Sequence, residues 1–354
     1  MHDDLGVYVL PGRAPDPSAV LGEARDAERA GFGTVWVSER LDVKDAGVVC
    51  GAVAATTTRT RVATGVVHQG TRHPLTLASM AATAHTLSGG RFVLGLGRGM
   101  GALAPSLGVP QPTLAGLEHL VSVLRRLWTG ERVTEEGPAG SFRGMRFSDL
   151  PPHGAPPVVL GTIGPRGLEL AGRAFDGVLL HPFLTADAVA ASVATVRRAA
   201  ERAGRDPSSV HVVTTLVAAP DLPPERVDLA VRARAVSYFQ VRGLGELLVG
   251  RNGWDARVLE RLRAHPSLAG GGIADTAFTR DRLVASAEVL PEAWFTEGAA
   301  IGTSAQCAAR GVQYRAAGAD EVLVHGASPA EATGLAAAWE TCMAATGNRR
   351  GGPS

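Results

Sequence analysis

Short apolar runs alternate with longer amphipathic segments along most of this chain. Strands are predicted for eight runs that are continuously hydrophobic, as strands buried on both faces are: 5–10, 34–39, 61–69, 91–97, 157–162, 176–182, 210–218 and 320–326. Helices are predicted between them, for example over 46–57 and 113–129, and a last helix over 329–345. This alternation predicts a single-domain parallel (β/α)8 TIM barrel over residues 1–354. An open doubly wound sheet is the alternative, but it requires a nucleotide fingerprint that the sequence lacks.

Two segments interrupt the alternation. Residues 131–156 combine turn residues with spaced aromatic residues and predict a small hairpin before strand five. Residues 241–295 lie between strands seven and eight and are too long for a simple connection, so we expect a helical insertion there. Within it, successive glycines in "LAGGGIADT" lead us to predict a mobile lid over 265–280.

The stretch "RFVLGLGRGMG" (91–101) has the glycines of a nucleotide loop in the wrong places. A dinucleotide fingerprint counted from Gly95 or Gly97 requires a third glycine where Met100 or Ala102 stands, and no lysine follows to make a P-loop. We interpret the stretch as strand four followed by a loop in which glycines let the backbone approach a ligand. The guanidinium of Arg98 suits a phosphate group, because its planar fork donates two hydrogen bonds.

Polar side chains follow most of the predicted strands, at the carboxyl end where barrel enzymes carry out their chemistry. They are Glu39, His68, Arg98, Thr162, His181 and His325. Each alone is explained as well by helix capping or rim packing, but their joint occurrence favours a functional site. Three histidines there could also bind a divalent metal. Because strand one has no H-x-H and no carboxylates cluster at the other strand ends, we expect no metal.

A second site for an anion is predicted at "GTIGPRG" (161–167), where strand five ends and a helix begins at Pro165. The free N–H groups and the dipole of a helix start attract anions. Two such features on neighbouring strands indicate a cofactor that carries phosphate.

Composition narrows the class of protein. Of the 354 residues 45% are hydrophobic, and the net charge of +1 argues against a nucleic-acid or membrane-surface binder. Three widely separated cysteines indicate a reducing compartment. No signal peptide and no apolar run of membrane-spanning length is visible, so we expect a cytoplasmic protein.

Five motifs follow one another as in the bacterial luciferase-like superfamily. They are "GFGTVWVSER", "TGVVHQGTRHP", "LSGGRFVLGLGRG", "GTIGPRGLELAGRAFDGVLL" and "IGTSAQCAARGVQYRAAGADEVLVHG". The chain most resembles the coenzyme F420 (deazaflavin)-dependent branch, over about residues 5–240 and 296–345. The resemblance implies a TIM barrel, a homodimer and a deazaflavin, or alternatively FMN, held at the carboxyl ends of the strands.

The resemblance also implies the cofactor contacts. A cis peptide bond is expected between Gly65 and Val66, with Val66 beneath the ring. Phosphate contacts fall on Arg98 and on the run after strand five, and the implied set of ring and phosphate contacts is Glu39, Gly65, Val66, His68, Arg98, Thr162, Ile163, Gly164 and Pro165.

The implied reaction is hydride transfer between C5 of F420 and a small organic substrate. We assign proton handling to His68, with Glu39 second, and place His181 on the substrate side. Arg40 stands where many relatives have a histidine and cannot donate a proton near neutral pH. Sugar-phosphate dehydrogenases of this branch carry an acidic residue where Met100 stands and use lysine, which occurs only once here, so that substrate is disfavoured. Two alternatives remain: an FMN-dependent monooxygenase that uses O2 and a partner reductase, and a non-catalytic cofactor-binding relative.

Overall fold

Eight parallel strands close into a barrel in the computed structural model, which describes residues 1–10, 16–41, 43–99, 101–272 and 277–345. The strands are β1 (His2–Val9), β2 (Phe32–Val37), β3 (Arg61–Thr64, continued by Val67–His68), β4 (Phe92–Gly97), β5 (Val158–Thr162), β6 (Gly177–Leu180), β7 (His211–Pro220) and β8 (Glu321–Gly326). Each pairs with its neighbour in sequence, and β8 pairs with β1 through Leu5 and Val322. The predicted (β/α)8 TIM barrel is therefore confirmed.

Helices surround the barrel as the apolar pattern predicts. They are α1 (Val20–Ala30), α2 (Ala46–Thr56), α3 (Pro74–Leu87), α4 (Leu114–Trp128), α5 (Pro165–Ala174), α6 (Ala186–Arg202), α7 (Ser304–Ala316) and α8 (Thr333–Ala345). Local signals set their ends: Asp45 accepts a hydrogen bond from the Val48 N–H to cap α2, and Gly31 ends α1 in the left-handed region. None of the described helices is long and apolar enough to cross a bilayer.

The interruptions of the barrel have their own structure. The predicted hairpin is present as antiparallel strands Val133–Gly137 and Gly140–Met145. The segment after β7 is helical, through Pro224–Val227, Ala233–Phe239, Leu244–Asn252, Arg257–Arg263, Arg280–Ser286 and Glu292–Gly298. This helical segment starts before the predicted boundary at 241. Part of the predicted lid, residues 273–276, lies outside the described residues, so the lid stays a prediction.

A short strand, Ala299–Gly302, was not predicted. It pairs in parallel with Val217–Pro220 at the end of β7 and precedes α7. Its four residues are too few to produce a recognisable pattern, and they become a strand because β7 extends beyond its barrel neighbours and offers free backbone groups. The helical segment is therefore inserted between β7 and its helix, on the carboxyl side of the barrel.

The barrel interior is filled with side chains and is not a pore. Its apolar core consists of Tyr8, Trp36, Ala63, Val159, Leu179, Val213 and Leu323. At the amino end the buried carboxylate of Glu321 accepts hydrogen bonds from Trp36 Nε1 (2.8 Å) and Arg61 Nη2 (3.2 Å) and lies 3.3 Å from His211 Nε2. Because polar groups and core residues fill this end, the carboxyl ends of the strands are left to form the site.

Candidate functional site

A cavity of about 650 Å³ lies at the carboxyl ends of β3, β4, β5 and β6. The structure brings together here most of the residues that the sequence singled out, namely Gly65, Val66, Arg98, Thr162, Ile163, Gly164, Pro165 and His181. Tyr238 and Leu244, from the helical segment after β7, also line it. This first cavity is large enough for a cofactor or drug-sized ligand.

Val66 lies on the floor of the first cavity, and the bond between Gly65 and Val66 is cis, as the resemblance implied. The glycines of β4 and β5 make room for it. A Cβ at position 97 would lie 2.5 Å from Val66 Cγ2, and one at position 161 would lie 2.9 Å from Val66 Cγ1. An apolar side chain is thereby held in a fixed place where a flat ring could rest on it.

The glycines of the 91–101 stretch have a second role that the sequence did not reveal. That they let backbone approach a ligand stays a prediction, and the structure shows that they also accommodate neighbouring protein groups. A Cβ at Gly95 would lie 1.9 Å from the Thr64 carbonyl oxygen, and one at Gly99 would lie 1.7 Å from His68 Cδ2. Alternate glycines in β4 thus reflect the irregular end of β3 beside it. Gly97 and Gly99 still line the cavity.

Two arginines give the first cavity its positive charge. Arg98 and Arg166 are exposed, and neither forms a hydrogen bond or ion pair with any residue that the structure describes. Both line the cavity beside the start of α5, where Gly164 offers no capping side chain to the helix N–H groups. A Cβ at Gly167 would lie 2.0 Å from Thr162 Oγ1, so glycine is needed for the helix to start against β5. The arrangement attracts a phosphate group.

Arg166 was missed by sequence reasoning, although it stands inside the predicted anion-binding motif "GTIGPRG". The signal was available: an arginine in the first turn of a helix start that is already suited to an anion.

Glu39 and His68, the predicted proton-handling pair, are linked to each other and to Arg72. The Glu39 carboxylate accepts a hydrogen bond from the His68 backbone N–H (2.9 Å) and pairs with Arg72 Nη1 at 2.5 Å. Arg72 in turn pairs with Asp45, the cap of α2. Sequence reasoning missed Arg72 because nothing in the loop pattern shows that it points back to β2. This network fixes the end of β3.

His68 itself is buried and lines neither of the two cavities described at the barrel mouth. Its Nδ1 accepts a hydrogen bond from the Gly70 N–H (3.0 Å), so the proton of the neutral ring is on Nε2, which has no partner among the described residues. Burial lowers the pKa of His68, although Glu39 opposes this. The structure therefore places His68 under the Gly99 loop instead of in the open part of the site.

His181 follows β6 and does line the first cavity. Its ring packs edge-on against Tyr238 with centroids 4.7 Å apart, and its Nδ1 lies 3.0 Å from the Pro182 carbonyl oxygen. Burial lowers the pKa of His181 to about 4. The imidazole is therefore neutral at pH 7, with its proton on Nδ1 facing the carbonyl, and Nε2 is left as an acceptor.

A second cavity, of about 320 Å³, meets the first at Tyr8, Gly65, Ser237 and Tyr238, which line both. Tyr8 donates a hydrogen bond to the Gly65 carbonyl oxygen (2.9 Å), and burial raises the pKa of its phenol. Glu39 and His325 line this second cavity, as do Arg226 and Arg234 of the helical segment after β7. Sequence reasoning did not find these arginines, because their position depends on how that segment folds over the barrel.

His325 is buried at the end of β8, with its ring 4.5 Å from that of Tyr8. Its Nε2 accepts a hydrogen bond from Arg234 Nη1 at 2.8 Å. Burial and the nearby guanidinium hold the pKa of His325 well below its usual value. No group of three potential metal ligands occurs in the described parts of the chain.

Comparison with known proteins agrees with this architecture. Residues 4–321 match the family model for luciferase-like monooxygenases. A 5,10-methylenetetrahydromethanopterin reductase from Methanolobus tindarius is 31% identical over 253 residues, which cover 71% of this chain and 75% of the relative. An F420-dependent glucose-6-phosphate dehydrogenase from Nakamurella multipartita is 34% identical over 208 residues, covering 53% of this chain and 60% of that relative.

The fold is also that of a solved structure, a coenzyme F420-dependent tetrahydromethanopterin reductase from Methanopyrus kandleri. The TM-score is 0.79 at 19% sequence identity, over 94% of this chain and 97% of that one. At this identity the likeness supports the fold alone.

Proposed function

This chain belongs to the luciferase-like monooxygenase family, and we propose that it is an F420-dependent oxidoreductase that acts on a small organic substrate. The similarity to an F420-dependent glucose-6-phosphate dehydrogenase supports the cofactor. When bound, F420 supplies or accepts a hydride at C5. The alternative cofactor, FMN, serves as the comparison in the tests.

One observation carries the proposal: a fixed apolar platform and an uncompensated positive site share one cavity. Val66, held between Gly97 and Gly161, would support one face of a ring. Arg98 and Arg166, beside the start of α5, would bind the phosphate of the cofactor tail. Charged hydrogen bonds of this kind contribute about 1.5–3 kcal/mol each.

We assign the remaining site residues by what they contact. Glu39 positions the end of β3, since its carboxylate already binds Arg72 and the His68 N–H. His68 supports the Gly99 loop from below. His181 accepts a hydrogen bond or a proton from the substrate through Nε2, because the ring is neutral at pH 7 and lines the cavity. Proton handling thus falls to His181 in place of His68.

The test is a pair of titrations, with F420 and with FMN, followed by quenching of protein fluorescence. Wild-type protein should bind F420 more tightly than FMN. Arg98→Ala and Arg166→Ala should each weaken F420 binding by about tenfold or more, because each removes a charged hydrogen bond. Arg173→Ala is the matched control, since Arg173 is on the same helix but pairs with Glu118 away from the cavity. Unchanged F420 affinity in both cavity variants would contradict the proposal.

We also propose that the protein is a cytoplasmic homodimer. Helix α2, "AGVVCGAVAAT", contains no charged residue, and Val48 on it is 74% exposed. A helix that is apolar on all sides requires cover on its outer face, and a second copy of the chain would provide it. The described cysteines are all unpaired, which is compatible with a reducing compartment.

A further inference from the structure

We propose that the second cavity binds an oxyanion of the substrate, a carboxylate or a phosphate, through Arg234. The enzyme would then act on acidic substrates. The inference rests on the proposed function only in taking the bound anion to be part of the substrate. The anion site itself is argued from the cavity walls.

The charged side chains that line the second cavity carry more positive than negative charge. Its carboxylate, Glu39, is already paired with Arg72, which stands outside the cavity lining. Among the arginines of this cavity, Arg226 forms a bidentate salt bridge with Glu331, with both contacts at 2.9 Å. The charge of Arg234 is not compensated in this way.

Arg234 has hydrogen-bond partners but no carboxylate among the described residues. Its Nε donates to the Ala230 carbonyl oxygen (3.1 Å) and its Nη1 to His325 Nε2 (2.8 Å). These neutral contacts hold the guanidinium against the cavity wall and leave N–H donors for a ligand. A half-buried cation fixed in this manner is stabilised by an anion.

His325, which Arg234 contacts, also has a buried polar atom without a partner among the described residues. Its side chain is 7% exposed and lines the cavity. Because Nε2 accepts from Arg234, the ring proton is on Nδ1, and this atom has no partner among the described residues. A buried donor without an acceptor is rare in proteins and marks a place where a ligand or water completes the site.

The surroundings are positive as well. Burial, with the charge of Arg40 nearby, lowers the pKa of Lys44 to about 8, and Arg234 acts in the same direction. Arg280 lines the cavity and forms no ion pair with a described residue. An anion in this cavity would relieve the mutual repulsion of these cations.

This anion is distinct from the cofactor phosphate. The features suited to that phosphate, Arg98, Arg166 and the start of α5, all line the first cavity. The second cavity is about half as large and meets the first at Gly65, beside Val66. A small substrate whose acidic end contacts Arg234 would therefore lie next to the ring platform.

The first experiment measures binding of inorganic phosphate, and separately of acetate, by calorimetry with and without saturating F420. Phosphate or acetate should bind in the presence of F420, when the first cavity is filled. Arg234→Gln should weaken this binding by about tenfold or more. Arg232→Gln is the matched control, because Arg232 lies two residues away and pairs with Glu292. Tighter binding of one anion identifies the oxyanion that the site prefers.

Equal anion affinity in Arg234→Gln and Arg232→Gln would overturn the proposal, as would loss of all anion binding when F420 is present. If Arg234→Gln does not fold, a measurement on the wild-type protein still tests whether the anion site exists. Lys44 is the single lysine, so protein labelled with ¹³C-lysine gives one NMR signal for the carbon next to its amine. Added phosphate should raise its pKa from about 8, and an unmoved titration curve would argue against the site.

The second experiment addresses the substrate. Candidate alcohols and ketones are assayed in pairs that differ only in an acid or the corresponding amide. Wild-type enzyme should show a higher kcat/KM for the acid, and Arg234→Gln should reduce that preference at least tenfold. Phosphate binding without turnover of any pair would leave the anion site intact and refute the proposed function. Turnover without acid preference would refute the substrate inference.

Discussion

The fit between Val66 and Gly97 offers a direct test of the cofactor platform. In Gly97→Ala the new Cβ would lie 2.5 Å from Val66 Cγ2, whereas ordinary contacts begin at 3.4 Å, so the groups must separate by about 0.9 Å. Val66 cannot turn aside freely, because valine is stiff at χ1 and its Cγ1 already lies against Gly161. Overpacking of this kind destabilises by about 1–3 kcal/mol.

The clash involves one methyl group. The next nearest atom to the new Cβ, Val66 Cβ, is 3.7 Å away, which is an ordinary contact. Val66→Ala should therefore relieve it, and urea denaturation of a double-mutant cycle should give a coupling of about 1–2 kcal/mol in favour of the double variant. Gly22→Ala is the control, since no atom lies within 4 Å of a Cβ there and Gly22 lies on α1, outside the lining of both cavities.

F420 titration of the same proteins tests function: Gly97→Ala should weaken binding and Gly22→Ala should not. Strictly additive effects of Gly97→Ala and Val66→Ala on the free energy of unfolding would refute the packing argument. Unchanged F420 affinity in a destabilised Gly97→Ala would refute Val66 as the platform.

Three other measurements test separate parts of the structure. His181 stays neutral down to about pH 4 in the folded protein but protonates near pH 6.5 in the unfolded chain. The free energy of unfolding should therefore fall as the pH drops from 6.5 to 4. In His181→Asn, urea titrations should show a pH dependence of this free energy that is smaller by about one proton. Glu321→Leu removes the carboxylate that Trp36 and Arg61 contact at the amino end of the barrel. It should lower the free energy of unfolding by about 3–5 kcal/mol without changing F420 affinity. Glu340→Leu, at an exposed position, should change neither the stability nor the F420 affinity. Val48→Arg should convert the proposed dimer to a monomer in analytical ultracentrifugation. Leu150→Arg, at another exposed apolar position, should leave the dimer intact. If Val48→Arg is still a dimer, the interface lies elsewhere.

The barrel could be predicted from sequence because its signals are local. Buried strands are continuous apolar runs, and the observed β7 (His211–Pro220) differs by only a residue or two from the predicted 210–218. Residues Ala299–Gly302 and Ala233–Phe239 have no such signal. The first is a strand because β7 offers it a partner, and the second is a helix that covers the barrel mouth. Structure that depends on distant partners cannot be found from a local pattern.

The residues of the site also fall into those that a local sequence pattern predicts and those that depend on distant parts of the chain. His181 and Arg98 were found from the sequence because each follows a strand, and a barrel brings the carboxyl ends of its strands together. Arg72 and Arg234 were missed because a loop and an inserted helix carry them there. The glycines of β4 were recognised as unusual, but their cause lay in the neighbouring strand, which no pattern within 91–101 can show.

The two cavities also show why net charge is a poor guide to an anion-binding enzyme. The chain carries a net charge of +1, which argues against nonspecific binding to polyanions. Yet at the barrel mouth Arg98, Arg166 and Arg234 have no carboxylate partner among the described residues, while arginines elsewhere, such as Arg173, are paired. Binding depends on local charge that no neighbouring carboxylate compensates. A search of the structure for arginines that line the barrel mouth, followed by removal of those with carboxylate partners, therefore locates both proposed anion sites where total charge cannot.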